Sequence, residues 1–167
     1  GTYPFASQAI EVILEQFKDS KGIIHTGNYE FARYIQNNLK NKRLLFHDSS
    51  NRAEVYNYHL ENTDSSVIVS PSMMQGIDLK DELSRFQIIS KVPFPSLGSK
   101  KIKRRLDTNP LWYNWKTALD IIQASGRSIR SYDDHATTII LDECFSGFMH
   151  RNKSLIPQYY LEALVIK

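Results

Sequence analysis

Gln123-Ala124-Ser125-Gly126-Arg127-Ser128-Ile129-Arg130 is the stretch on which the reading of this 167-residue chain turns. It falls near the end of a helix that the sequence predicts to begin at Asn109-Pro110. Asparagine can accept from the first free amides of a helix, and proline suits the first helical position, where its missing N–H costs nothing. At about 100° per residue, Gln123, Arg127 and Arg130 lie at i, i+4 and i+7 on one face. Ala118, Ile122, Ser125 and Ile129 are expected on the opposite face. Gly126 costs about 1 kcal/mol in a helix interior, so a close approach of a backbone or ligand is expected there. Lys116 and Asp120 extend the polar face. Helix geometry alone therefore allows an ordinary solvated surface. Two guanidiniums on one face also form a pair of planar donor forks matched to phosphate oxygens.

Working outward, the length corresponds to about one domain with room for a real core, and 41% hydrophobic residues suits a globular protein. No apolar run reaches the ~20 residues of a membrane helix, and no signal peptide opens the chain, so no membrane partner is expected. The single cysteine, Cys144, rules out an internal disulfide and a cysteine-only metal cluster. The five histidines show no ligand spacing, and no metal is assigned to this chain. A reducing setting is expected: cytoplasmic, or nucleoid-associated in a bacterium. The net charge of +3 says little about nucleic acid, but its distribution says more. Lys91, Lys100, Lys101, Lys103, Arg104 and Arg105 fall between residues 91 and 106, a stretch without an acidic residue.

Helices are expected at about 4–18, 29–39 and 52–61, the last opened by Asn51 with Glu54 as a capping pair. Strands are expected at 22–26, 43–47, 67–69, 86–92 and 137–141. Pro93 to Thr108 shows neither period and reads as an exposed loop. A short terminal helix after Pro157 should contain Leu161 and Leu164. Near-continuous apolar strands alternating with helices predict a mostly parallel sheet buried on both faces, in one domain over 1–167.

Three segments, in order, resemble the second motor domain of the DinG/XPD family of superfamily-two DNA helicases, leaning to the DinG branch. Ile23-Ile24-His25-Thr26 is similar to motif IV (about 23–28), with Gly27 where a serine is usual. Ser70-Pro71-Ser72-Met73-Met74-Gln75-Gly76-Ile77-Asp78-Leu79 looks like motif V (about 69–79), with Gln75 for a common glutamate. Lys91-Val92-Pro93-Phe94-Pro95 resembles the family's lysine-x-proline-phenylalanine turn. Gln123 to Arg130 resembles motif VI, and Cys144 stands where arginine is frequent. The likeness spans roughly residues 10–146.

The resemblance implies a RecA-like, three-layer α/β fold with a mostly parallel sheet flanked by helices. It implies DNA-repair chemistry: ATP hydrolysis coupled to 5′-to-3′ movement on single-stranded DNA. Gln123, Arg127 and Arg130 would act on the ATP phosphates, while Gly76, Asp78 and Gly126 would line the nucleotide. Thr26, Ser70, Ser72, Lys91, Lys100 and Lys101 would face the nucleic acid. Read without the family, Thr26 is an ordinary strand end, Gly76-Ile77-Asp78 a turn, and the basic run a solvated loop. Phe94, Trp112 and Tyr113 read as core, with a stacking platform the functional alternative. No glycine is followed by lysine, so the chain has no Gly-x-x-x-x-Gly-Lys-Ser/Thr loop to hold phosphates and magnesium. ATP and Mg2+ would therefore be held mainly by a first motor domain, expected on a preceding segment or another chain. The alternatives are a non-catalytic nucleic-acid-binding or scaffold module, and another superfamily-two translocase.

Overall fold

Five strands form one sheet in the order β2-β3-β1-β4-β5, and every pairing in it is parallel. They are β1 (Gly22–His25), β2 (Leu44–Phe46), β3 (Val67–Ser70), β4 (Phe86–Ile89) and β5 (Thr137–Ile140). The computed structural model describes residues 2–72, 79, 81–126 and 135–165. The helices are α1 (Tyr3–Gln16), α2 (Tyr29–Asn38), α3 (Arg52–Glu61), α4 (Lys100–Thr108), α5 (Pro110–Ser125), α6 (Cys144–Arg151) and α7 (Gln158–Glu162). The chain divides into two compact units, Gly1–Lys91 with Ser125–Leu141, and Val92–Ala124 with Asp142–Lys167.

The first unit holds the sheet. Its three inner strands, β1, β3 and β4, are buried at every position, which is why they read as apolar runs rather than alternations. Alternate residues divide between two cores. Ile24, Val67, Val69, Phe86 and Ile88 meet Ile10, Ile13 and Leu14 of α1 and Phe31, Ala32 and Ile35 of α2. Ile23 and Ile68 point the other way, with Leu79, Leu83 and Tyr56 of α3. The chain passes from β1 over β3 to β2, then returns to β3. With right-handed crossovers, this reversal puts α2 and α3 on opposite faces, which is where the two cores have them.

Two side chains tie this unit at its borders. Arg43 donates to four carbonyls: Leu14 at 2.7 Å, Phe17 at 2.9 Å, Ser20 at 2.7 Å and Ser65 at 2.7 Å. It closes the end of α1 against the start of β3. His59 is fully buried. Its Nε2 lies 2.8 Å from the Leu83 carbonyl, so that nitrogen must carry the proton. Nδ1 then accepts from the Ser66 hydroxyl at 2.8 Å. Gly22 leaves room for an aromatic ring: a Cβ there would lie 2.5 Å from Phe86, which stacks on Phe17 at 4.8 Å.

Most elements fall where the periods predict them, with four corrections. Lys100–Thr108 is a helix, not loop. Ser99 caps it, its oxygen 3.5 Å from the Ile102 amide, and only Ile102 and Leu106 are half-buried. Two apolar residues one turn apart are too sparse a period to recognise. Second, α5 buries Thr117, Ala118, Ile121 and Ala124. The apolar stripe is thus turned by about a residue from the expected Ala118, Ile122 and Ser125. Third, Asn51 makes no side-chain cap to α3 and instead accepts from the Asp48 amide at 2.8 Å. Fourth, the C-terminal helices differ: α7 ends at Glu162, before Leu164, and α6 lies where no helix is expected. Asp142 opens it by accepting from the amides of Val92 at 2.8 Å and Cys144 at 3.0 Å.

Candidate nucleic-acid interface

Four of the residues expected to face nucleic acid meet at the carboxyl ends of the central strands. In open parallel sheets, ligands bind outside these ends, where successive connections depart in opposite directions. Here that place is β1, flanked by β3 and β4. Thr26 follows β1 directly, and its amide donates to the Ser70 carbonyl at 2.9 Å. Its hydroxyl lies 2.9 Å from the Asn28 carbonyl and 3.2 Å from that of Ser70. Ser70 Oγ in turn donates to the Ser72 carbonyl at 2.7 Å. On the other side of β1, the Ser90 amide donates to the His25 carbonyl at 2.9 Å, which brings Lys91 to the same rim.

Gly27 supplies the bend. Its φ is +77°, a left-handed conformation that glycine adopts freely and L side chains rarely do. A Cβ at Gly27 would sit 3.6 Å from the Cβ of Lys91. Glycine in place of the family's serine therefore matches a backbone need rather than a missing contact alone. Asn28 then caps α2, its Oδ1 accepting from the Phe31 amide at 2.7 Å. The positive end of the α2 dipole is thus at this rim. A capping asparagine directly before a helical period is a signal for Asn28 that the sequence analysis misses, whereas nothing in the sequence marks its carbonyl as the acceptor for Thr26.

The rim has a buried layer and an exposed one. Thr26 and Ser70 are fully buried, so their hydroxyls hold the loop backbone in shape. Ser72 and Lys91 are exposed and are the side chains that can reach a strand from solvent. Lys100 and Lys101, both exposed, lie in the second unit on α4.

On the nucleotide side, Gln123 is exposed on the last turn of α5. Asn109 starts that helix as expected, its Oδ1 3.2 Å from the Trp112 amide. Gly126 is exposed, and among the described residues no atom lies within 4 Å of where its Cβ would be, so they do not supply the crowding expected there. Gly76, Asp78, Arg127 and Arg130 lie outside the described residues. Among the described residues no group of histidine, cysteine, aspartate or glutamate is arranged to hold a metal, and no helix is long and apolar enough to cross a membrane. Asp142 is committed to the Val92 and Cys144 amides. Its charge also pushes the Cys144 thiol up from its ordinary value, away from the reactive thiolate.

The lysine-x-proline-phenylalanine turn organises the second unit. Phe94 stacks on Tyr113 at 6.2 Å and meets Phe148 edge-on at 5.6 Å. Tyr113 donates its hydroxyl to the Pro95 carbonyl at 2.9 Å. These two aromatics are packed, as the plainer reading has it. Trp112 instead stacks beneath a cation, with the Arg105 guanidinium carbon 4.1 Å from its ring centroid.

Comparison with known proteins bears on the fold and the family. The chain is similar to the regulator of telomere elongation helicase 1 homologues of Drosophila grimshawi and Drosophila persimilis, 32% identical over 84 residues in each case. Those matches cover 42% of this chain and 8% of the relatives, so the chain corresponds to a small part of them. Among solved structures it resembles an apo XPD chain with a TM-score of 0.71 at 15% identity. That match covers 92% of this chain and 34% of the other. It also resembles Xpd4 of S. tokodaii, with a TM-score of 0.65 at 16% identity, covering 94% and 33%. The fold is therefore the RecA-like one of the XPD helicases. The model of the helicase C-terminal domain matches residues 25–160, well over half of the chain, and the chain belongs to that family.

Proposed function

We propose that this chain is the second motor domain of an ATP-dependent DNA helicase of the DinG/XPD type. ATP would bind between it and a first RecA-like domain. The single observation that carries the reading is the family match over residues 25–160, which contains both the strand-end rim and the Gln123–Arg130 stretch. Bound ATP with Mg2+ supplies the phosphoryl group to be transferred. This chain contributes charge and position. Arg127 and Arg130 neutralise charge that develops on the phosphoryl oxygens, and Gln123 lies four residues before the first of them. Gly76, Asp78 and Gly126 line the nucleotide. Ser72 and Lys91 hold the backbone of single-stranded DNA, while Thr26 and Ser70 keep the rim in shape beneath them. Opening and closing of the cleft moves the domain along the strand, 5′ to 3′.

Replacing Arg127 or Arg130 by alanine in the intact enzyme tests this. An arginine aimed at a transferring phosphoryl group is worth ~10³–10⁵ in rate. DNA-stimulated hydrolysis should fall on that scale, and lysine should restore little because it lacks the planar fork. Affinity for single strands without nucleotide should hold. Near-normal hydrolysis in both alanine variants would make the two arginines a solvated helix face and overturn the proposal.

A further inference from the structure

The second unit contains a groove of about 440 Å³ between α4 and α5, a volume in the range of small-ligand sites. Pro95 and Ile102 line it with apolar surface, Ser99, Lys101 and Arg105 with polar and charged groups, and Trp112 with its indole. Lys116 and Asp120 also line it and are committed to each other by an ion pair. Lys101 and Arg105 are one turn apart on α4, so both project along the same edge. Lys100, Lys103 and Arg104 extend the charge outside the groove, and α4 buries none of its residues. Among the described residues none of these five cations is in an ion pair. Four cations without an ion pair, beside a stack whose own cation is Arg105, match a polyanion that carries planar rings.

We infer that this groove holds one nucleobase of a single strand, stacked beside the Trp112–Arg105 pair, with the flanking phosphates on Lys101 and its basic neighbours. The inference rests on the helicase reading and adds a second contact region, on the second unit, to the strand-end rim of the first. An isolated phosphate would use the lysines without the ring, and an acidic peptide would use the charge without the stack. The arrangement favours a ligand that needs both.

Trp112 and Trp115 are the only tryptophans, so a Trp115→Phe background makes Trp112 the sole indole reporter. In that background, oligo(dT) should quench the fluorescence of the full chain and bind with a salt-dependent affinity. Lys101→Gln and Arg105→Gln should each lower the slope of log affinity against log salt by about 0.7. Trp112→Ala should weaken binding by about tenfold or more, and Trp112→Phe should retain most of it because a ring remains. Circular dichroism of each variant separates loss of contact from loss of fold. The inference is overturned if oligo(dT) binds without quenching Trp112, if Trp112→Phe binds as poorly as Trp112→Ala while both stay folded, or if polyglutamate quenches as well as oligo(dT). Quenching by free dTMP at the same concentrations would also overturn it, replacing a strand contact with a mononucleotide pocket. None of these results touches the Arg127 and Arg130 test, so the two readings fail separately.

Discussion

At the scale of single residues, His59 carries a consequence for pH. Burial pushes its imidazole below its ordinary value, helped by Lys21, although the Leu83 carbonyl pulls the other way. Lys21 is close because its ammonium donates to the carbonyls of His59 and Asn62. Above about pH 6.5, the ordinary histidine value, both folded and unfolded states hold this ring neutral and its contribution is flat. Below that, the unfolded chain binds a proton that the folded chain refuses. Stability is then lost as pH falls toward the folded value, at up to about 1.4 kcal/mol per pH unit. Urea unfolding at steps from pH 8 to pH 5 should show this decline. His59→Asn should be less stable throughout but lose that part of the slope. An unchanged slope in the variant would assign the acid sensitivity elsewhere.

Among the elements, α4 is the one whose stability is most local. It buries no residue, so tertiary packing lends it little, and a helix this short is marginal in isolation. Its Ser99 cap therefore matters more than a cap on α2, whose Phe31, Ala32 and Ile35 are anchored in the core. Ser99→Ala should cost about 1 kcal/mol locally. Hydrogen exchange is the measurement that resolves it: amides at the start of α4 should exchange several-fold faster, while those of β1, β3 and β4 keep their protection. Equal exchange in the variant and the parent would mean that something other than the cap holds the helix. The same substitution should weaken a strand bound in the groove, because the cations of α4 would no longer be held in register.

At the scale of the whole molecule, the proposed function makes a prediction about the chain by itself. No glycine is followed by lysine, so backbone amides and an ammonium are not brought together on phosphate in the way a phosphate loop does. Purified chain with ATP, magnesium and single-stranded DNA should release phosphate no faster than background. Turnover that follows the chain through purification would contradict the division of the site between two domains. The division of labour inside the chain follows the sheet. Buried hydroxyls of Thr26 and Ser70 fix the rim, and exposed Ser72 and Lys91 stand above it.

Periodicity and residue chemistry alone determined the five strands, most of the helices and the parallel character of the sheet. Strands such as Val67–Ser70, buried on both faces, must be apolar at every position, and that is visible in a string of letters. Asn109-Pro110 likewise marks its helix start, because capping is a local matter of a few bonds. What only the tertiary structure decided is whatever depends on partners distant in sequence. The hydroxyl of Thr26 is turned inward because the Ser70 carbonyl, forty-four residues on, is 3.2 Å away. Gly22 must be glycine because Phe86 lies over it. Gly27 reads as a lost serine until its φ of +77° is known. The basic run at 100–105 reads as loop because a helix held mainly by its cap, with two half-buried apolar residues, leaves almost no period to detect. The pairing of Arg105 with Trp112 exists only because α4 and α5 fold back on each other at Asn109, which ends one helix and starts the next.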